Sequence, residues 1–289
     1  YSNTFTNTFG CDSIHTLSLT INQSDTSYTN ITACDSVSWN GNTYTQSGTY
    51  TYGNSSNNNY SMSFDGVDDY INCGGSNSIT LGNSNITLAC WVNTNSPDVS
   101  QVLIMKGTTY SGGKRYVLGI QGADGGAFPS GGVYASIDDD VNEVKLHYYN
   151  PLPLSVWTHV AFVFDRVNSI SSLYINGQLV DTSNTIISGS ISTVSSLILG
   201  GHSQNIGGSL LNGMMDDACI WNRALSQQEV QEYMNCPPAG NETGLVGYWN
   251  FEEGPGSIVI DQTNNNNNGV THGIFYSNNT PLQSCDLTN

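Results

Sequence analysis

Basic residues are scarce in this chain. Lysine and arginine together number 6 against 23 acidic residues in 289, for a formal net charge of −17. Such a surface repels phosphate backbones and anionic headgroups, so neither nucleic acid nor a bilayer is an expected partner. It suits surroundings in which clustered carboxylates meet a hard cation. Long apolar runs are missing too: no stretch of 18 or more apolar residues occurs, so no membrane span is expected. Only 10% of residues are charged, and polarity comes from Asn, Ser, Thr and Gly. Thr, Tyr, Val and Ile suit strands, and Asn and Gly suit turns. Composition therefore points to an all-β chain with many loops.

The usual constellations of catalysis are also lacking. A glycan hydrolase needs two carboxylates facing across the scissile bond, and an alternating Glu-x-Asp-x-Glu strand would supply them. No such string is present. The glutamates are Glu143, Glu229, Glu232, Glu242, Glu252 and Glu253. Two of these fall on an expected helix, and Glu252 and Glu253 point to opposite sides of an extended chain. Asp138-Asp139-Asp140 reads as an acidic turn. No histidine stands near a G-x-S-x-G elbow, and no Gly-rich phosphate loop links a strand to a helix. His159 falls in a buried strand and reads as a core residue. These absences argue against an enzyme.

Cysteine is present, but in neither C-x-x-C pairs nor zinc spacing. Seven scattered cysteines in an acidic β-rich chain favour an oxidising location, extracellular or at a cell surface. An odd number leaves at least one free or paired outside the chain. Cys90 and Cys219 lie in apolar strand patterns and are expected as buried thiols. Cys236 and Cys285 flank the last segment and are the expected disulfide.

Organisation follows from local patterns. Residues 1–55 form a unit of their own, with two Cys-Asp-Ser strings (Gly10–Ile21 and Ala33–Tyr52), each followed by alternating residues. In the second, Trp39-Asn40-Gly41 is a hairpin signal between short strands. This unit resembles a small cysteine-containing β repeat found in tandem in very large secreted bacterial surface proteins. In that pattern the Trp-Asn-Gly half comes first; here the order is reversed, so the chain is expected to begin in mid-repeat. Residues 53–59, rich in Asn and Ser, read as a linker, and residues 56–289 form the large domain. Its strands include Ile86–Thr94, Val102–Lys106, Arg115–Gln121, Gly132–Ile137, Glu143–Tyr149 and Ser196–Gly201. Asn176-Gly177 marks a tight hairpin. Ser226 and Glu229 make a capping box for one short helix that ends at Cys236-Pro237-Pro238.

Four segments in order carry a broader resemblance: FDGVDDYI (Phe64–Ile71), WTHVAFVFD (Trp157–Asp165), LYINGQLV (Leu173–Val180) and LNGMMDDACIWNRALS (Leu211–Ser226). Together they resemble the laminin-G-like branch of the concanavalin A-like lectin/glucanase jelly rolls. The resemblance implies a jelly-roll sandwich. GLVGYWNFEEGPGSIVIDQTNNNNNGV (Gly244–Val270), a string of a kind that commonly precedes the FDG strand in that family, here follows the helix. The order is therefore circularly permuted. Residues 244–285 are expected to complete the same sandwich, the alternative being completion of a neighbouring copy by strand exchange.

The family also implies a structural Ca²⁺ held between the FDG strand and the acidic pair before the last strand. The matching residues are Asp65, Asp68, Asp216 and Asp217, with Asp216-Asp217 standing where the family usually has Asp-Glu. For carbohydrate, stacking aromatics with Asn, Asp and Gly around them are needed. Tyr110, Tyr134, Tyr148 and Tyr149 lie on or beside loops and are the candidates. Trp91, Trp157, Trp221 and Trp249 lie in apolar strands and are expected in the core. The functional expectation is a non-catalytic extracellular structural or adhesive module, one unit of a bacterial surface array or filament that associates with neighbouring copies and presents a lectin-like, glycan-binding face. The alternatives are a carbohydrate-binding module serving a separate catalytic domain and, third, a glycan hydrolase or lyase.

Overall fold

Thr- and Ser-rich alternation in the first unit folds as short antiparallel strands: β1 (Ser2–Thr6), β2 (Asp12–Ser18), β3 (Tyr28–Asn30), β4 (Val37–Trp39) and β5 (Asn42–Tyr44). β1-β2-β3 form one sheet, and β4-β5 form a hairpin. Trp39 pairs with Asn42; the expected Asn40-Gly41 turn lies outside the described residues. The structure, a computed structural model, describes residues 58–96, 99–108, 113–123, 130–203, 209–283 and 285, together with the backbone of these five strands. The chain divides into two units, Tyr1–Asn54 and Ser55–Asn289.

The second unit is a two-sheet sandwich. Its elements are β6 (Ser61–Asp65), β7 (Tyr70–Asn72), β8 (Ile86–Thr94), β9 (Gln101–Gly107), β10 (Arg115–Ile120), β11 (Val133–Asp138), β12 (Glu143–Tyr148), β13 (Thr158–Asp165) and β14 (Ile170–Ile175). There follow β15 (Gln178–Ser183), β16 (Leu197–Leu199), β17 (Asn212–Trp221), helix α1 (Gln227–Asn235), β18 (Leu245–Trp249), β19 (Ile258–Val259), β20 (Gly269–His272) and β21 (Phe275–Ser277). One sheet runs β12-β11-β10-β9-β16-β7-β20-β19. The other runs β15-β14-β13-β8-β17-β6-β21, with β18 also paired to β17. All pairings are antiparallel among the described residues, as a jelly roll requires.

Alternation sets the core. On β13, Val160, Phe162 and Phe164 enter the space between the sheets, where they meet Phe64, Leu88, Leu118, Ile220 and Trp249. Each such side chain contributes about 1.5–3 kcal/mol on burial. The intervening Ala161 and Val163 face a second cluster with Cys219, Trp221, Leu225 and Val230. That cluster explains why β13 is apolar on both faces: helix α1 covers it. The helix starts at Ser226, whose side chain accepts from Glu229 N–H while Glu229 accepts from the Ser226 N–H. Val230 is its buried residue. Gln227 and Gln231 donate to the Gly177 carbonyl at 3.1 and 2.9 Å, tying the helix to the Asn176-Gly177 turn.

The strands after the helix join the chain's own sheets. β18 pairs with β17, β20 with β7, and β21 with β6. Cys236 and Cys285 form a disulfide with Cα atoms 4.4 Å apart. Cys90 and Cys219 are buried free thiols. Trp91, Trp221 and Trp249 are buried, but Trp157 is not. It stands half-buried ahead of β13, its indole N–H donating to Asn279 Oδ1 at 3.0 Å. The polar end of Trp needs a partner, and the chain after β21 supplies one at the surface. Among the described residues no helix is long and apolar enough to cross a membrane.

Candidate functional site

A seam in the second sheet builds the site. β6 and β18 lie on the same side of β17. β6 pairs with its first half, Asn212 to Met215, and β18 with its second half, Ala218 to Trp221. Between the halves β17 bulges. Asp216 pairs with Trp91 and Cys219 with Ala89, so β17 spends one residue more than β8. The bulge gives Asp217 a φ of 45°, and bulges re-aim side chains in this way. Asp216 and Asp217 therefore face the gap where β18 ends and β6 begins. Asn58 and Asn59 enter the gap just ahead of β6, and Asn250 and Glu252 enter it just after β18.

The result is a pocket of about 370 Å³. Its walls carry the carboxylates of Asp217 and Glu252, the amides of Asn58, Asn59, Asn250 and Gln283, and the rings of Tyr248 and Pro237. No lysine, arginine, histidine or cysteine lines it among the described residues. Asp217 is held from both sides: Tyr248 donates its hydroxyl to Oδ1 at 2.6 Å, and Gln283 Nε2 donates to Oδ2 at 2.7 Å. Gln283 Oε1 in turn accepts from Asn58 Nδ2 at 3.0 Å. Glu252 Oε1 accepts the backbone N–H groups of Asn59 and Tyr60, at 2.8 and 2.9 Å, and Oε2 accepts from Asn59 Nδ2.

Two acceptors are left over. Asp216 is fully buried; its Oδ1 accepts from the Asp217 N–H, but its Oδ2 is buried without a donor, as is Asn58 Oδ1. An unpaired buried acceptor costs about 1–3 kcal/mol, and more when charged. Burial, followed by the neighbouring Asp217 charge, pushes the Asp216 pKa well above the usual carboxylate range, and the Asn58 amide offsets this in part. Burial pushes Asp217 up as well, against the Tyr248 and Gln283 hydrogen bonds. The site thus gathers oxygen acceptors and negative charge and has too few donors to satisfy them. An oxygen-only set of this kind fits a hard divalent cation.

Of the acidic residues expected to share one ion, Asp65 and Asp68 lie together, apart from Asp216 and Asp217. Asp65 pairs with Asn212 on β17, and Asp216 lies four residues further along, roughly 13 Å away at strand spacing. The carboxylates of Asp65, Asp68 and Asp69 lie within 4.8 Å of one another. Within that turn Asp65 Oδ1 accepts from Val67 N–H at 2.7 Å, and Asp69 Oδ2 accepts from Asp65 N–H at 2.8 Å. The Asp65 and Asp69 carboxylates thus bond backbone N–H groups around Gly66. Asn58, Tyr248, Glu252 and Gln283 carried no site signal in the sequence. Asn58 sat in a stretch that reads as linker, and Glu252 failed only the pattern of a hydrolase.

The tyrosine candidates divide. Tyr110 lies outside the described residues. Tyr148 is half-buried and packs against the core. Val133 and Ala135 point into the core, which places Tyr134 on the outer face of β11. There it packs on Val102, Met105 and Val117 and lies over Gly119. A Cβ at Gly119 would come within 2.5 Å of the Gln101 carbonyl oxygen and 2.7 Å of the ring, so glycine is what admits both. His147 is directly opposite Tyr134 on β12, and Tyr149 stacks on His147 with centroids 5.7 Å apart and planes at 14°. A row of rings therefore crosses this face, with Ser136, Arg115, Glu143 and Lys145 on neighbouring outer positions. Glu143 is paired with Arg115, with Lys145 at 2.9 Å and with the Ser136 hydroxyl at 2.8 Å. These partners hold its pKa below the ordinary value against the effect of burial.

Comparison with known proteins follows the same lines. The structure is similar to that of a candidate carbohydrate-binding protein from Bacteroides ovatus, at 20% identity with a TM-score of 0.64; the match covers 79% of this chain and 62% of that one. It is also similar to a heptameric SAP-like pentraxin from Limulus polyphemus, at 16% identity with a TM-score of 0.55, covering 80% of this chain and 98% of that one. This chain thus spans under two thirds of the Bacteroides protein. No curated protein matches the sequence. A family model, described as the concanavalin A-like lectin/glucanases superfamily, matches residues 64–231, from the FDG strand to helix α1. With the two sheets, the helix-capped β17 and that match in hand, the chain belongs to the laminin-G-like members of the concanavalin A-like lectin/glucanase superfamily.

Proposed function

We propose that this protein is a non-catalytic, extracellular carbohydrate-binding module of adhesive type, with a fold braced by Ca²⁺ in the seam pocket. The observation that carries the binding role is the ring row Tyr134–His147–Tyr149. Flat aromatic faces beside hydroxyl and charged groups suit a sugar, whose ring offers C–H faces and a rim of hydroxyls. The B. ovatus protein, a carbohydrate-binding candidate, gives the ligand class external support. Glu143, on the same outer face of β12 as His147, is saturated by cations, so it serves as a fixed hydrogen-bond partner and not as a general acid.

The cation would be held by Asp216, Asp217, Glu252 and the Asn58 amide oxygen. Bound there, Ca²⁺ would neutralise the buried charge and supply the partners that Asp216 Oδ2 and Asn58 Oδ1 lack. Its role is to fix the ends of β18 and β6 against β17. A glycan array probed with the full chain in calcium tests the binding role. The expected result is binding to a restricted set of glycans that Tyr134→Ala abolishes; a blank array, or hydrolysis of the printed glycans, contradicts it.

A further inference from the structure

The disulfide stands at the rim of the seam pocket. Pro237, which follows Cys236, and Gln283, two residues before Cys285, both line the cavity. Cys236 is itself anchored, since its N–H donates to the Glu232 carbonyl at the end of α1. The segment after β21 has no strand pairing among the described residues. It rests on scattered bonds: Thr280 Oγ1 to the Asn58 carbonyl at 3.0 Å, Ser61 Oγ to the Asn279 carbonyl at 2.7 Å, and the Trp157 indole to Asn279. Leu282 is 92% exposed, which leaves the buried Pro281 as the apolar anchor beside Gln283 among the described residues. Gln283 Nε2 also donates weakly to the Met234 carbonyl of α1 at 3.4 Å, and the Cys236–Cys285 link ties the segment covalently to the same end of the helix.

Gln283 matters because it joins two of the cation's expected ligands. It donates to Asp217 Oδ2 and accepts from Asn58 Nδ2, which turns Asn58 Oδ1 away from that bond. Partners of this kind set ligand orientation, and their loss typically costs roughly 10–100-fold in metal affinity.

We propose that the Cys236–Cys285 disulfide sets the cation affinity of the seam pocket, so that a thiol reductant lowers it. This rests on the cation reading of that pocket. Reduction by a dithiol breaks the S–S bond and leaves Cys236 and Cys285 as thiols, each with a hydrogen from the reductant; the reductant gives up two electrons and closes as its own disulfide. Both half-cystines are only half-buried, so a small dithiol can reach them.

Calorimetric titration of calcium chloride into the full chain tests this. Wild type is compared with C236S/C285S and with Gln283→Ala, which keeps the disulfide. The expected result is affinity roughly tenfold or more weaker in each variant, with no further loss when the changes are combined. Should the double-serine variant fail to fold, Gln283→Ala decides. Wild-type affinity in either folded variant overturns the coupling alone. No calcium binding by the oxidised wild type overturns both the coupling and the cation reading.

Discussion

Asp216→Asn keeps the shape of the bulge and removes one buried charge, so it separates a cation site from a merely acidic turn. In wild type without cation, Asp216 Oδ2 is buried and unpaired, next to a second buried carboxylate. Removing an uncompensated buried charge relieves that cost, so the variant should melt higher than wild type in chelator. Calcium reverses the order of gains. At one hundred times the dissociation constant, binding stabilises wild type by about 2.7 kcal/mol. For a unit of this size that is roughly 5–11 °C, at about 2–4 °C per kcal/mol. If the lost ligand weakens binding about a hundredfold, the same calcium concentration stabilises the variant by only ~0.4 kcal/mol, or roughly 1 °C. Differential scanning calorimetry with chelator and with calcium reads all four melting temperatures. A variant that melts lower than wild type in chelator yet gains as much from calcium would refute the reasoning.

Three further outcomes are expected. Burial drives the His159 pKa to about 3, below the ordinary 6.5, so the unfolded chain takes up the proton first as pH falls. Its contribution is full above about pH 6.5 and is lost on the way down to about pH 3. The stability difference between wild type and His159→Gln should shrink by roughly 3 kcal/mol between pH 7 and pH 4, measured by urea unfolding; a constant difference contradicts it. The disulfide closes a loop with a sequence separation of 49, so C236S/C285S should lose roughly 4 kcal/mol by the chain-entropy account, and an unchanged urea midpoint counts against it. Gly119→Ala should press on both the Gln101 carbonyl and the Tyr134 ring, costing about 1–3 kcal/mol of stability by overpacking, and should reduce binding to any glycan the array identifies; unchanged stability and binding would remove the ring from the site.

The fold was legible because its signals are local. Alternation in WTHVAFVFD, the Asn-Gly turns, and the Ser226–Glu229 capping box each specify a strand, a hairpin or a helix start within a few residues. Tyr134 was expected on or beside a loop, but it lies within β11 and packs on Val102, Met105 and Val117 of the neighbouring strands. The seam pocket was not legible, because its walls come from residues 58–59, 217, 237, 248, 250, 252 and 283. They meet only because β6 and β18 share one side of β17, a consequence of sheet order that no window of sequence contains. Asp216-Asp217 was visible as an acidic pair, but its partner was assigned to the FDG turn. The register, with Asp65 opposite Asn212, puts that turn four residues too far along the strand. Trp157 was misplaced because an apolar neighbourhood does not show that a surface asparagine will take its indole N–H.

The most direct test is calcium titration by calorimetry into chelator-stripped protein, with Asp216→Asn and Asp65→Asn alongside wild type. The account predicts one site per chain in wild type, retained in Asp65→Asn and lost or weakened by about a hundredfold in Asp216→Asn, as expected when a charged ligand is removed. Absence of binding in wild type, or loss in Asp65→Asn with Asp216→Asn unaffected, would contradict it.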